Sequence, residues 1–386
     1  MSITSLDKSF VASTYGRFPL ELERGKGSLL YGTDGKEYID MGTGIAVNIF
    51  GVCDEEWTRA VKEQLDKLTH TSNLYYTEPC AKLAQLLCSK TGMNKVFFSN
   101  SGAEANECAI KVARKYSFQK YGEGRSTIVT LKNSFHGRTI TTLSATGQDS
   151  FHTDFMPFTE GFVYAEANNT EEVITLAKEQ NACAVMLELV QGEGGVMQLD
   201  DSFVLEVADL CKKNDILLII DEVQTGNGRT GSLYAYQQFG IMPDIISTAK
   251  GLGGGLPIGA TMLGENVQDI LTPGSHGSTF GGNPVCCAGA YNIISRIDDE
   301  LLNSVKQKSE YIFNELSNAQ GIKSVSGMGL MIGLETEKDA KDVVAACREK
   351  GVLVLTAKTK VRLLPPLNID FELLKKAVEI IKECVK

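Results

Sequence analysis

Between residues 95 and 264 the chain alternates short runs rich in Val, Ile or Leu with amphipathic stretches. That alternation is the signature of a parallel sheet flanked by helices, an α/β architecture. Candidate strands are KVFFS (95–99), STIVTL (126–131), CAVMLEL (183–189), ILLIID (216–221), DIIST (244–248) and ATMLG (260–264). Between them, residues 104–121 and 202–214 repeat apolar side chains at three- and four-residue spacing, as crossover helices do.

The remainder has a different texture. LLYGTDGKEYIDM reads as a hairpin turning at Asp34-Gly35. After about Gly282 come a long amphipathic helix, short strand-like pieces and a closing helix, the pattern of a smaller α+β domain. A chain of 386 residues exceeds the size at which one core stops growing, so two cooperating domains are expected. The expected division is an N-terminal segment (1–58) belonging to the small domain, a large domain (59–281) and a C-terminal small domain (282–386).

A net charge of −10 repels phosphate backbones and anionic lipid, which argues against nucleic-acid and membrane-surface roles. Any anionic ligand must then be held by local cationic groups. The N-terminus shows no charged-then-apolar signal pattern, no eighteen apolar residues run together, and the ten cysteines form no CxxC pair. A soluble, cytoplasmic protein with reduced thiols is expected.

In an open parallel sheet, ligands sit beyond the carboxyl ends of the strands, so the residues just past each strand matter most. After KVFFS, Asn100-Ser101-Gly102-Ala103 opens a helix whose free N–H groups suit a phosphate, although Ser101 equally reads as an ordinary helix cap. Asp221 closes an apolar strand and requires a cation or donors, such as a protonated pyridine nitrogen; an aspartate capping the next helix is the other reading. Lys250 ends the DIIST strand and is followed by glycines that clear space around it. A lysine there can form a Schiff base with an aldehyde and then shuttle protons, because its pKa falls readily on burial.

Three further stretches add to the set. Phe135, His136 and Arg138 offer an aromatic face, a packing or ring-contact imidazole and a carboxylate-binding guanidinium. Glu193 lies among glycines in Gln191–Gly195, and His276–Pro284 supplies hydroxyl donors for phosphate.

SNSGAEANE, SFHGRT, IIDEVQTG, STAKGLGGGLPIGA and HGSTFGGNP together resemble the class III aminotransferases of fold type I, collinearly from about Tyr15 to the final helix. The resemblance implies a large domain with a mostly parallel seven-stranded sheet between helices, and pyridoxal 5'-phosphate as cofactor. Lys250 would carry it, Asp221 would pair with the pyridine nitrogen, Gln224 and Val223 would contact the ring, and Phe135 would stack on it. Ser101, Gly102 and Ala103 would hold the phosphate, and Thr279 would reach it from the neighbouring subunit of a homodimer. Arg138, Tyr15 and Ser278 would bind the substrate.

By the same resemblance, Arg362 would take the side-chain carboxylate of glutamate and fold back onto Glu193 when the other substrate binds. TYGRFPLELERGKGSLLYGTDGKEYIDMGTGIAVN, HTSNLYY and KVRLLPPL resemble family members that move the terminal amino group of N2-acetyl-L-ornithine to 2-oxoglutarate in two half-reactions. Members acting on unacylated ornithine carry a tyrosine where this chain has Gly44. Succinylornithine, ornithine, 4-aminobutyrate or a lysine derivative as donor, and an aminomutase of the same fold, are the alternatives. The chain departs from the family at Gly51-Val52-Cys53-Asp54-Glu55 and at Asn227, a position often filled by an apolar residue.

Overall fold

The computed structural model describes residues 2–386. Its centre is a seven-stranded sheet with the order Lys95–Ser99, Gly259–Leu263, Ile245–Thr248, Leu217–Asp221, Ala182–Leu187, Thr127–Leu131, Phe162–Ala165. Six strands run the same way; Gly259–Leu263 is antiparallel to both its neighbours.

The expected strands form within about one or two residues of the limits read from sequence. Phe162–Ala165 was not among them: it is a four-residue edge strand, mostly half-buried, so it lacks the apolar run of a central strand.

Why the central strands are unbroken apolar runs is visible in their side chains. Leu218 and Ile220 enter one hydrophobic cluster, while Leu217 and Ile219 enter another that includes Cys108, Ala109, Val112 and Ala113 of the Gly102–Tyr121 helix. Val185 and Leu187 divide from Ala184 and Met186 in the same way. Both faces are therefore covered, and each buried Leu or Ile contributes about 1.5–3 kcal/mol relative to exposure. The alternation also fixes which way the next residue points: Asp221 and Glu188 share the parity of the side chains facing the Gly102–Tyr121 helix.

Two smaller sheets flank this one. Leu22–Lys26, Leu29–Gly32 and Glu37–Asp40 form an antiparallel ribbon, with Gly35 at φ +79° in the turn, and Val352–Leu353 joins it in parallel to Glu37–Asp40. Ile322–Met328, Met331–Thr336, Lys360–Leu363 and Leu355–Ala357 form the second, antiparallel sheet. The helices Asp299–Leu316 and Ala340–Glu349 pack beside it, and Phe371–Val385 packs against both helices.

No helix among the described residues is long and apolar enough to cross a membrane.

Candidate active site

The carboxyl ends of the parallel strands open onto a cavity of about 450 Å³, walled by Ser101, Gly102, Ala103, Phe135, Asp221 and Lys250 among others. Six residues from four strand ends thus meet at one place.

The Gly102–Tyr121 helix starts there, and Ser101 caps it by accepting the Glu104 N–H at 3.2 Å. Gly102 and Ala103 therefore present the first turn of a long helix to the cavity, where N–H groups have no intrahelical acceptor. Side-chain volume is excluded at Gly102, since a Cβ there would lie 2.7 Å from Val223 Cγ1. The capped-helix and phosphate-cradle readings of this segment are compatible, because the cap uses the serine hydroxyl and leaves the turn itself open.

Asp221 is 3% exposed, and no helix follows it directly, so it caps none. Its Oδ2 accepts from Asn106 Nδ2 at 2.7 Å and lies 2.8 Å from His136 Nδ1; its Oδ1 accepts the Val223 N–H at 3.0 Å. Asn106 belongs to the helix that the strand's alternation makes Asp221 face. Three donors thus stabilise a buried carboxylate at the cavity wall.

Lys250 follows the Ile245–Thr248 strand at φ +44°, a backbone region that side chains other than glycine enter at a cost of about 1–3 kcal/mol. Burial pushes its ammonium pKa down; Glu193, Asp221 and Glu188 oppose that, and the Arg362 cation reinforces it. An amine poised to lose its proton is what attack on an aldehyde needs.

Glu193 sits in the turn of a two-stranded ribbon pairing Val190–Gln191 with Met197–Gln198. Arg362, on the Lys360–Leu363 strand, donates from Nη1 to Glu193 Oε1 at 2.6 Å and to Gln224 Oε1 at 3.1 Å. Gln224 completes the triangle, donating to Glu193 at 3.5 Å. Gly192 makes room for it, since a Cβ there would fall 2.4 Å from Gln224 Nε2. Burial alone would raise the Glu193 carboxyl, but the charge and hydrogen bonds of Arg362 outweigh it and the pKa is lowered.

Arg138 is exposed at the cavity rim, its guanidinium 5.3 Å from the Phe135 ring centre and 4.1 Å from that of Phe151. Five expected residues are not part of the cavity wall: Glu193 and Arg362 reach it only through Gln224, and three others lie elsewhere on this single chain. Tyr15 is 74% exposed; Thr279 is exposed; Ser278 accepts from Asn100 Nδ2 at 3.1 Å and from the Gly281 N–H at 3.0 Å. None of the three lines the cavity.

Residues 10–385 match the family model for class-III aminotransferases. The chain belongs to that family. It is 52% identical over 383 residues to an acetylornithine aminotransferase of Haemophilus ducreyi, covering 99% of this chain and 98% of that one. An acetylornithine aminotransferase of Aquifex aeolicus is 46% identical over 377 residues, covering 97% and 99%. Among solved structures, N-acetylornithine aminotransferase from Stenotrophomonas maltophilia superposes with a TM-score of 0.86 at 33% identity, covering 99% of this chain and 98% of that one. An ornithine aminotransferase from Toxoplasma gondii, with partial occupancy of PLP at its active site, gives 0.94 at 31%, covering 99% and 93%.

In this aminotransferase the cavity wall also includes residues that motif reading passed over. Glu188 lines the cavity, and burial followed by the nearby Asp221 charge raises its carboxyl well above the usual carboxylate range; its Oε2 accepts the Phe135 N–H at 2.8 Å. The signal was present, since Glu188 interrupts the apolar run CAVMLELV just as Asp221 ends ILLIID. Asn106 and the Asp221-facing role of His136 carried no such signal, because they depend on which helix faces which strand.

The departures from the family pattern lie outside the cavity wall. Asp54 caps the Glu55–Leu65 helix through the Trp57 N–H at 2.9 Å and pairs with Arg296 at 2.5 Å, a packing role. Asn227 is buried behind the strand end that carries Lys250.

Proposed function

We propose that this aminotransferase binds pyridoxal 5'-phosphate and moves the terminal amino group of N2-acetyl-L-ornithine to 2-oxoglutarate. The products are N-acetylglutamate 5-semialdehyde and glutamate, formed in two half-reactions. The observation that carries the reading is Arg362 held by Glu193 and bonded to Gln224, which lines the cavity that contains Lys250: a guanidinium that can be engaged or released serves one substrate with a second carboxylate and one without. The names of the two sequence relatives support the same donor.

The residues present fit the cofactor. Gly102 and Ala103, beside Ser101, would take the phosphate at a helix start that a Cβ would fill; Phe135 would cover one ring face and Val223 the other side. Asp221 would face the ring nitrogen with its charge stabilised by Asn106 and His136, and Gln224 would reach the ring edge. When bound, pyridoxal phosphate supplies an electron sink for the carbon that loses its proton.

This chain's own work is to hold and to move protons. Lys250 would anchor the cofactor, give way to the donor amine, and then carry the proton from substrate carbon to its new position. Arg138 would grip the α-carboxylate at the rim. Tyr15, Ser278 and Thr279 lie off their own cavity, and we place them at the site of a homodimer, with Thr279 serving the neighbouring subunit's phosphate.

Replacing Lys250 with Ala should abolish both the visible absorption of bound cofactor and transamination. Retention of both would end the proposal. Acetylornithine assayed against ornithine, succinylornithine and 4-aminobutyrate with 2-oxoglutarate identifies the donor; strict dependence on the oxo acid excludes a mutase.

A further inference from the structure

The hydrogen-bond ladder between the Leu217–Asp221 and Ile245–Thr248 strands ends where the Glu222 N–H meets the Ser247 carbonyl at 2.8 Å. Beyond it the two chains turn apart: one runs through Gln224 to Gly231, the other through Ala249 into Lys250. Asn227 bridges them again. Its Nδ2 donates to Thr248 Oγ1 at 3.1 Å and to the Ala249 carbonyl at 3.2 Å, and its Oδ1 accepts the Tyr234 hydroxyl at 3.4 Å.

The bridge is buried and close to the lysine. Asn227 is 1% exposed, Tyr234 is fully buried, and a Cβ added at Gly251 would lie 3.2 Å from that of Asn227. The Ala249 carbonyl is part of the peptide that leads into Lys250, which holds a left-handed backbone and so relies on its surroundings to stay there. Asn227 has its own left-handed backbone, φ +58°, and that alone favours asparagine over an apolar residue. The backbone preference does not explain why its amide meets two residues of the strand end and a buried tyrosine. An apolar side chain at this position could make none of these bonds.

We infer that Asn227 is a positioning residue for Lys250, clamping the peptide before the lysine to the segment that carries Asp221 and Gln224. The clamp fixes the amine against the carboxylate across the cavity, and it rests on the aminotransferase reading given above. Its consequence is kinetic: a lysine displaced by a fraction of an ångström still binds cofactor but transfers protons poorly.

The test uses the cofactor-loaded enzyme. Asn227→Gly keeps the left-handed backbone and removes the amide. We expect intact visible absorption, KM values within about twofold of wild type, and kcat lower by about ten- to a hundredfold. The deuterium isotope effect on kcat, with donor labelled at the carbon bearing the transferred amino group, should rise. The pH midpoint of the visible band should move by about half a unit or more.

Thr248→Val removes one acceptor of the clamp and should move the same readings less. Combined with Asn227→Gly it should add nothing further, since both act on one contact. Should the glycine variant fail to fold, Thr248→Val alone must raise the isotope effect for the inference to stand. Wild-type kcat, isotope effect and pH midpoint in Asn227→Gly, or full additivity in the double variant, would overturn the inference while leaving the function intact. A wild-type protein with no visible band overturns both.

Discussion

Arg362 Nη1 lies 2.6 Å from Glu193 Oε1, joining a strand of one sheet to the turn of a separate ribbon through a pair in which the arginine side chain is 3% exposed. Removing one partner of such a pair costs about 3–5 kcal/mol, because the other charge is left without compensation. Glu193→Gln should therefore free Arg362 for dicarboxylates: activity with glutamate as donor is retained, while kcat/KM for acetylornithine falls by about tenfold or more. Arg362→Ala should do the reverse and impair the 2-oxoglutarate half-reaction. Half-reaction kinetics on each substrate measure the split.

The pair also sets a pH expectation. The Glu193 carboxyl is lowered, so its contribution is complete above the ordinary glutamate value of about 4.3 and is lost only as pH falls through the lowered one. Discrimination between the two substrates should stay flat across about pH 6–8 and decay only in acid. A ratio of kcat/KM values that changes steadily through neutrality would contradict this.

Lys250 moves the other way on the pH axis. Burial lowers its pKa, so the neutral amine becomes available below the usual lysine value of about 10.4. Cofactor capture by the apoenzyme, followed by visible absorption, should accelerate with rising pH and level off before that value. Glu193 favours the ammonium, so in Glu193→Gln the midpoint should fall further.

Asp221→Asn preserves shape and removes the charge that three donors surround. Turnover should drop by about 10²–10³-fold, the usual scale for losing one preorganised electrostatic contact. Cofactor content, read from absorbance, should change far less than kcat.

Gly102→Ala would drive a methyl group into Val223, whose Cγ atoms lie 2.7 and 2.9 Å from the added carbon. Overpacking of this kind costs about 1–3 kcal/mol. Because both residues line the cavity, the loss should fall on cofactor affinity, weakening it by about tenfold or more, with a modest drop in Tm. Equilibrium titration of the apoenzyme with pyridoxal phosphate checks it.

Much of this molecule was legible in its residues. Central strands such as Leu217–Asp221 are buried on both faces, and that requirement writes an apolar run that ends sharply where the site begins. Lys250 and Asp221 stood out because charged groups terminate such runs. The Phe162–Ala165 strand did not, since an edge strand covered only in part carries no comparable pattern. Glu188 showed the same signal as Asp221 and went unread. Asn106, the contact of His136 with Asp221 and the part of Gln224 in the Glu193–Arg362 pair lay beyond one-dimensional reading, because each contact joins segments that only the sheet order brings together; the pair itself came through the family resemblance and not through pattern. Asn227 looked like a lapse from the family pattern until its partners, one a tyrosine seven residues on and two across the sheet, were in view.

The single reversed strand, Gly259–Leu263, governs how much this site can be remodelled. Because it runs against its neighbours, the chain leaving Lys250 re-enters the sheet on the rim it has just left, and Pro257 and Ile258 become wall on the way. The return is tight: a Cβ at Gly253 would meet the Leu256 carbonyl oxygen at 1.9 Å, and one at Gly259 the Ser101 carbonyl oxygen at 2.3 Å. Anchor and cradle are thus tethered by one short strap, and an insertion there would loosen both together. Room for a larger or smaller donor has to come from segments outside this strap, such as those that carry Arg138 and Glu193.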